Sequence, residues 1–171
     1  WPTIQKDAEN PDNYFAKDAC QHYSRFREDF DMAKSLNHNA HRFSIEWSRV
    51  EPEEGRFDEK EIEHYRKVLQ ALRDRGIEPF VTLWHFTLPI WFAKMGGFEN
   101  PKAPEIFARY CEFVVRRLAE GDMAKFWITI NEPMVYASEG YLKGVWPPFS
   151  KGFFRFLKVI KTLISSHLAS Y

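Results

Sequence analysis

In the stretch Phe126-Trp127-Ile128-Thr129-Ile130-Asn131-Glu132-Pro133, five aromatic or β-branched residues run straight into a polar pair and a proline. Such a run reads as a strand buried on both faces, so a polar pair at its C-terminal tip needs a reason. Pro133 has no N–H to give a ladder and pushes Glu132 away from helical angles, so pairing stops and the carboxylate is held at one place. Asn131 can donate to a hydroxyl or accept from one, and Glu132 can lend or take a proton. Asn-Glu-Pro is also an ordinary strand-ending turn, and only the surrounding chain separates the two readings.

Upstream, Ile106, Phe107, Tyr110, Phe113, Val114 and Leu118 recur at helical spacing, which predicts a helix over Pro104 to Glu120 that stops at Gly121. Before it lies a second strand, Phe80 to Trp84, ending in His85-Phe86-Thr87-Leu88-Pro89, then a short helix over Ile90 to Lys94 closed by Gly96-Gly97. Asp58 and Glu61 form a candidate capping box for a helix that ends at Gly76. Ala40 to Trp47 alternates as a strand, with Arg42, Ser44 and Glu46 on one side; Gln21 to Leu36 reads as a helix. Residues 1–20 and 48–57 read as loops. Downstream come a short helix over Met134 to Leu142, a loop over Gly144 to Ser150 and a helix over Phe153 to Ala169.

Helices alternating with strands at this spacing predict a parallel sheet with helices outside it, because parallel neighbours need crossover connections. A doubly wound sheet and a (β/α)₈ barrel both qualify. No Gly-rich turn links a strand to its helix, as the first would require for phosphate binding. Arg42, Glu46, His85, Asn131 and Glu132 cluster instead at the strands' C-terminal ends, the active face of a barrel.

Composition narrows the function classes. Lys plus Arg and Asp plus Glu are 24 each, so no net field favours nucleic acid, a membrane surface or a charged partner, whereas neutral sugars fit. Aromatic residues make up 17%, enough to stack on sugar faces, although core filling accounts for most of them. Cys20 and Cys111 are far apart and lack metal spacing, which suits reduced thiols in a cytoplasmic protein. No apolar run is long enough to span a bilayer.

The candidate site residues have bland readings too. Arg42 on a strand would be buried and would need an anion. His85 alone reads as a core histidine. Glu46 reads as a structural carboxylate paired with Arg42 or Arg49. His38 and His41 lack a third ligand, so no metal is expected. Arg155, Lys158 and Lys161 alternate with apolar residues on the last helix; a solvated outer face explains them better than a membrane-lying or partner-binding helix.

Arg42-Phe43-Ser44-Ile45-Glu46-Trp47-Ser48-Arg49, Leu83-Trp84-His85-Phe86-Thr87-Leu88-Pro89 and Trp127-Ile128-Thr129-Ile130-Asn131-Glu132-Pro133 together resemble the successive strand-end signatures of glycoside hydrolase family 1, the β-glucosidase and β-galactosidase family. Gly140-Tyr141-Leu142-Lys143-Gly144 with Pro147-Pro148 is similar to that family's segment after the acid, and the last helix is family-like. The likeness runs from about residue 20 onward. Many members carry Trp-Asp where this chain has Phe86-Thr87, so loop support there is expected to differ.

The resemblance implies a retaining β-glycosidase acting on a β-linked oligosaccharide or glycoside without cofactor. Glu132 would be the general acid and base, Asn131 would hold the sugar 2-hydroxyl, His85 would contact a hydroxyl in the cleaved-sugar subsite, and Arg42 would neighbour the nucleophile. Retention needs a second carboxylate about 5 Å away, and in the family it comes from a strand further downstream. A complete barrel takes about 250 residues. The 171 residues are therefore expected to be an internal fragment: one incomplete barrel domain over 1–171, with barrel strands 2 to 4 and the helix after strand 4, inactive alone. Its open sheet edges are expected to promote self-association. The competing expectation is a non-catalytic carbohydrate-binding remnant of the same fold.

Overall fold

The computed structural model describes residues 20–171. The expected N-terminal loop, apart from Cys20, lies outside the described residues. Three parallel strands, β1 (Ala40–Ser44), β2 (Glu78–Trp84) and β3 (Phe126–Ile130), pair in the order β1-β2-β3. Ser44 stands opposite Thr82, and Thr82 opposite Ile128, so the three C-terminal tips end side by side. The principal helices are α1 (His22–Ser35), α2 (Trp47–Val50), α3 (Glu59–Asp74), α4 (Ile90–Lys94), α5 (Ala103–Leu118), α6 (Pro133–Ala137) and α7 (Phe153–Ser170).

The helices pack where their apolar stripes dictate. Phe26, Phe30 and Ala33 of α1 bury against Val68, Ala71 and Leu72 of α3. Val81 and Leu83 of β2 enter a larger core with Phe107, Tyr110 and Val114 of α5 and Val159 and Leu163 of α7. The buried Tyr110 hydroxyl donates to the Leu83 carbonyl at 2.8 Å, which satisfies both polar groups and ties α5 to the central strand.

Four expectations need correction. Among the described residues β3 is an edge strand, and it is not buried on both faces: Phe126 is 46% exposed and the other four residues are only partly buried. β1 stops at Ser44, three residues early. There the Glu46 carboxylate accepts from the Ser48 N–H and caps α2, a bond that a continuing strand could not make. Asp58 caps α3 by accepting from the Lys60 N–H, but Glu61 does not reach back to complete a capping box; it accepts from the Tyr23 hydroxyl. Finally, the helix expected over Met134 to Leu142 starts at Pro133 and loosens to a π-helical turn over Ser138–Leu142.

A buried carboxylate locks the loop after β1. Glu51 is fully buried, and its oxygens accept from Trp47 Nε1 at 2.8 Å, the Gly55 N–H at 2.8 Å and Arg109 Nη2 at 2.5 Å. An ion this deep is tolerated because both carboxylate oxygens accept hydrogen bonds and Arg109 supplies the opposite charge.

Candidate active site

The Asn131 N–H donates to the Trp84 carbonyl at 2.9 Å, which extends the β2–β3 ladder one residue past β3. The chain then turns sharply: Glu132 has φ 42° and ψ 60°, the left-handed region that a side chain rarely adopts. An extended residue is the usual neighbour before a proline; here the left-handed turn, and not extension, takes Glu132 out of the right-handed helical region. Pro133 occupies the first position of α6, where its missing N–H costs nothing. The Glu132 side chain makes no capping bond to α6, and the residue is exposed.

Asn131, only 4% exposed, is fixed by Arg42. The Arg42 guanidinium donates through Nη2 to Asn131 Oδ1 and through Nε to Thr82 Oγ1 at 2.9 Å. One cation thus links β1, β2 and the end of β3. The expected anion is not its partner: among the described residues both of its hydrogen bonds go to neutral groups, and Arg42 is exposed. Because a guanidinium only donates, the amide oxygen must face it, which leaves the Asn131 NH₂ group turned away from Arg42.

His85 follows β2 directly. Its Nδ1 is hydrogen-bonded to Ser44 Oγ at 2.8 Å, which leaves Nε2 facing away from β1. Partial burial holds its pKa below the ordinary imidazole value, the nearby Arg42 cation lowers it further, and the Glu132 carboxylate opposes both. His85 is therefore neutral at neutral pH and lies within electrostatic reach of both groups. Of the residues singled out in the sequence, Arg42, His85, Asn131 and Glu132 meet at one end of the sheet.

Glu46 is structural, as expected, but not through an arginine. Its Oε1 accepts from Ser48 Oγ at 2.6 Å and its Oε2 from Thr87 Oγ1 at 2.7 Å. The sequence held no signal for that pairing, since the partners lie 41 residues apart. A cleft of about 760 Å³ opens beyond this bridge, bordered by Glu46, Thr87, Tyr136, Tyr141, Pro148 and Arg155. Arg42, His85, Asn131 and Glu132 do not border this cleft. Among the described residues no group of three or more His, Cys, Asp or Glu is placed to hold a metal ion, and no helix is long and apolar enough to cross a membrane.

Comparison with known proteins places this geometry. A model of glycosyl hydrolase family 1 matches residues 2–171. β-Glucosidase A of Thermotoga maritima is 36% identical over 169 residues, which covers 98% of this chain and 37% of that relative. Coniferin β-glucosidase of Pinus contorta is 41% identical over 145 residues, covering 84% and 27%. Among solved structures, a β-glycosidase from Pyrococcus horikoshii superposes with a TM-score of 0.84 at 43% identity, covering 89% of this chain and 35% of that one. The chain thus spans well under half the length of these relatives. The structural neighbours are (β/α)₈ barrels, and the three strands with their flanking helices form part of such a barrel.

Proposed function

The chain belongs to glycosyl hydrolase family 1, and from that membership we propose that it supplies the acid/base of a retaining β-glycosidase. It acts on β-O-glycosidic bonds of the β-glucoside or β-galactoside type, without a cofactor. Residues 1–171 form one incomplete barrel domain with barrel strands 2 to 4 and the helix after strand 4, and the nucleophile comes from outside this chain. We place the protein in the cytoplasm, in keeping with the free thiols of Cys20 and Cys111.

The observation that carries this reading is the convergence of Glu132 with Asn131, Arg42 and His85 at adjacent strand tips. Glu132 protonates the glycosidic oxygen as the bond breaks, then takes a proton from the water that releases the sugar. The NH₂ of Asn131, left free by the bond of its oxygen to Arg42, donates to the 2-hydroxyl, a contact that strengthens as charge develops at the anomeric carbon. Nε2 of the neutral His85 meets another hydroxyl of the same sugar. Arg42, whose hydrogen bonds among the described residues go to neutral groups, is ready for the nucleophile's carboxylate.

The test is to join the chain to the remaining strands of a family 1 barrel. The joined protein hydrolyses 4-nitrophenyl β-glucoside and the 171-residue chain does not. Sugar binding without hydrolysis in the joined protein would instead identify a non-catalytic carbohydrate-binding remnant.

A further inference from the structure

Thr87 is held at three points. Its N–H donates to the His85 carbonyl at 3.0 Å, closing a three-residue turn around Phe86, whose φ is 73°. Its carbonyl accepts from Trp84 Nε1 at 2.8 Å, and its hydroxyl donates to Glu46 Oε2 at 2.7 Å. A γ-turn with positive φ is rare and strained for a residue that carries a Cβ, and it persists only where its surroundings fix it. Trp84 belongs to the same segment, so the external restraint that Thr87 receives by hydrogen bonding is Glu46.

Glu46 is itself immobilised. Its N–H donates to the hydroxyl of the buried Tyr65 at 2.9 Å, and its other carboxylate oxygen accepts from the N–H and Oγ of Ser48. The carboxylate thus transmits the position of α2 and α3 to the loop after β2. Phe86 completes the turn by packing edge-on against Trp146, with ring centroids 5.3 Å apart, which leaves His85 facing Ser44.

We propose that Glu46, acting through Thr87, is the positioning residue of the sugar site: it sets the strained turn at Phe86 and thereby the place of His85. The importance of that place rests on the glycosidase reading above, but the turn can be tested without any sugar. The readout is the set of histidine ring resonances of the 15N-labelled 171-residue chain, titrated with pH. Thr87→Val removes the hydroxyl at nearly constant shape, and Thr87→Ser keeps it.

In Thr87→Val, His85 should lose the Nδ1 signature of its bond to Ser44, and its pKa should rise toward the ordinary value of 6.5 as its burial is relieved. The charges facing His85, Arg42 and Glu132, are the same in both variants. Thr87→Ser should match the wild type, and His41, near the start of β1, should be unmoved in both. A His85 indifferent to Thr87→Val overturns the proposal, as does a Thr87→Ser that behaves like Thr87→Val, or a His41 that moves with His85 and so reports general loosening. Methyl β-D-glucoside, added as a probe to the barrel joined to its remaining strands, should bind several-fold more weakly when that barrel carries Thr87→Val. If the joined barrel with Thr87 intact fails to bind it while His85 of the 171-residue chain still responds as expected, the glycosidase reading falls and the positioning role stands.

Discussion

Glu132 sits in a backbone conformation that costs a residue with a side chain about 1–3 kcal/mol, and the surroundings supply what holds it there. The Asn131 N–H is tied to β2 on one side, and Pro133 begins a helix on the other. The strain carries the carboxylate past the last strand hydrogen bond without committing its oxygens to a helix cap. Histidines elsewhere carry a different consequence. Burial, with His22 and His38 adding to it and Asp29 opposing, holds His41 below the ordinary imidazole value; burial does the same for His64. The folded chain therefore binds fewer protons than the unfolded one just below pH 6.5. The stability these groups contribute is complete above that pH and is lost as pH falls through it toward their folded values. The melting temperature should decline between about pH 7 and pH 5.5, and His64→Gln should flatten the decline; a melting temperature constant over that range would contradict the assignment.

At the scale of elements, the hydrophobic periods were readable in the sequence and the endings of the strands were not. The 3.6-residue stripes of α3 and α5 place their buried residues where the structure has them, because those helices cover the sheet along one face. Ile45-Glu46-Trp47 continues the alternation of a strand, yet Glu46 turns to cap α2, a local bond that outcompetes the pattern. β3 looked doubly buried because aromatic and β-branched residues mark strands in general, while burial depends on what packs against each face of the sheet. Gly140 and Gly144, visible as a motif, have a packing reason: a Cβ on Gly140 would approach the Pro147 carbonyl oxygen to 3.0 Å, and one on Gly144 the Ser150 carbonyl oxygen to 3.1 Å. Among the described residues β1 and β3 each have a neighbour strand on one side only, and α7 exposes Phe154 and Leu168. Such surfaces favour association. Sedimentation velocity of the purified chain should show species that grow with concentration, whereas a single monomer with one sharp unfolding transition would refute this.

At the scale of the whole molecule, the site is assembled from three strand tips separated by about forty residues each in sequence, and a parallel sheet is what makes them neighbours. That assembly was legible because each tip ends in polar residues that a buried strand has no structural use for. Its internal wiring was not. The sequence offered Arg42 an anion, and the structure gives it an amide and a hydroxyl; it offered Glu46 an arginine, and the structure gives it Thr87. Partner choice among polar side chains depends on rotamers and tip heights that no periodicity encodes. The Phe86-Thr87 departure is likewise explained only once Glu46 is seen across the gap.

The central claim is that Glu132 donates the proton to the leaving oxygen, and Glu132→Gln in a barrel completed with its remaining strands tests it most directly. Gln keeps the shape but cannot protonate. The rate of glycosylation should fall by about 10²–10⁴ for alkyl glycosides, whose leaving groups need the proton, and far less for an activated dinitrophenyl glycoside. Equal losses on the two substrates would contradict the assignment of Glu132 as the acid.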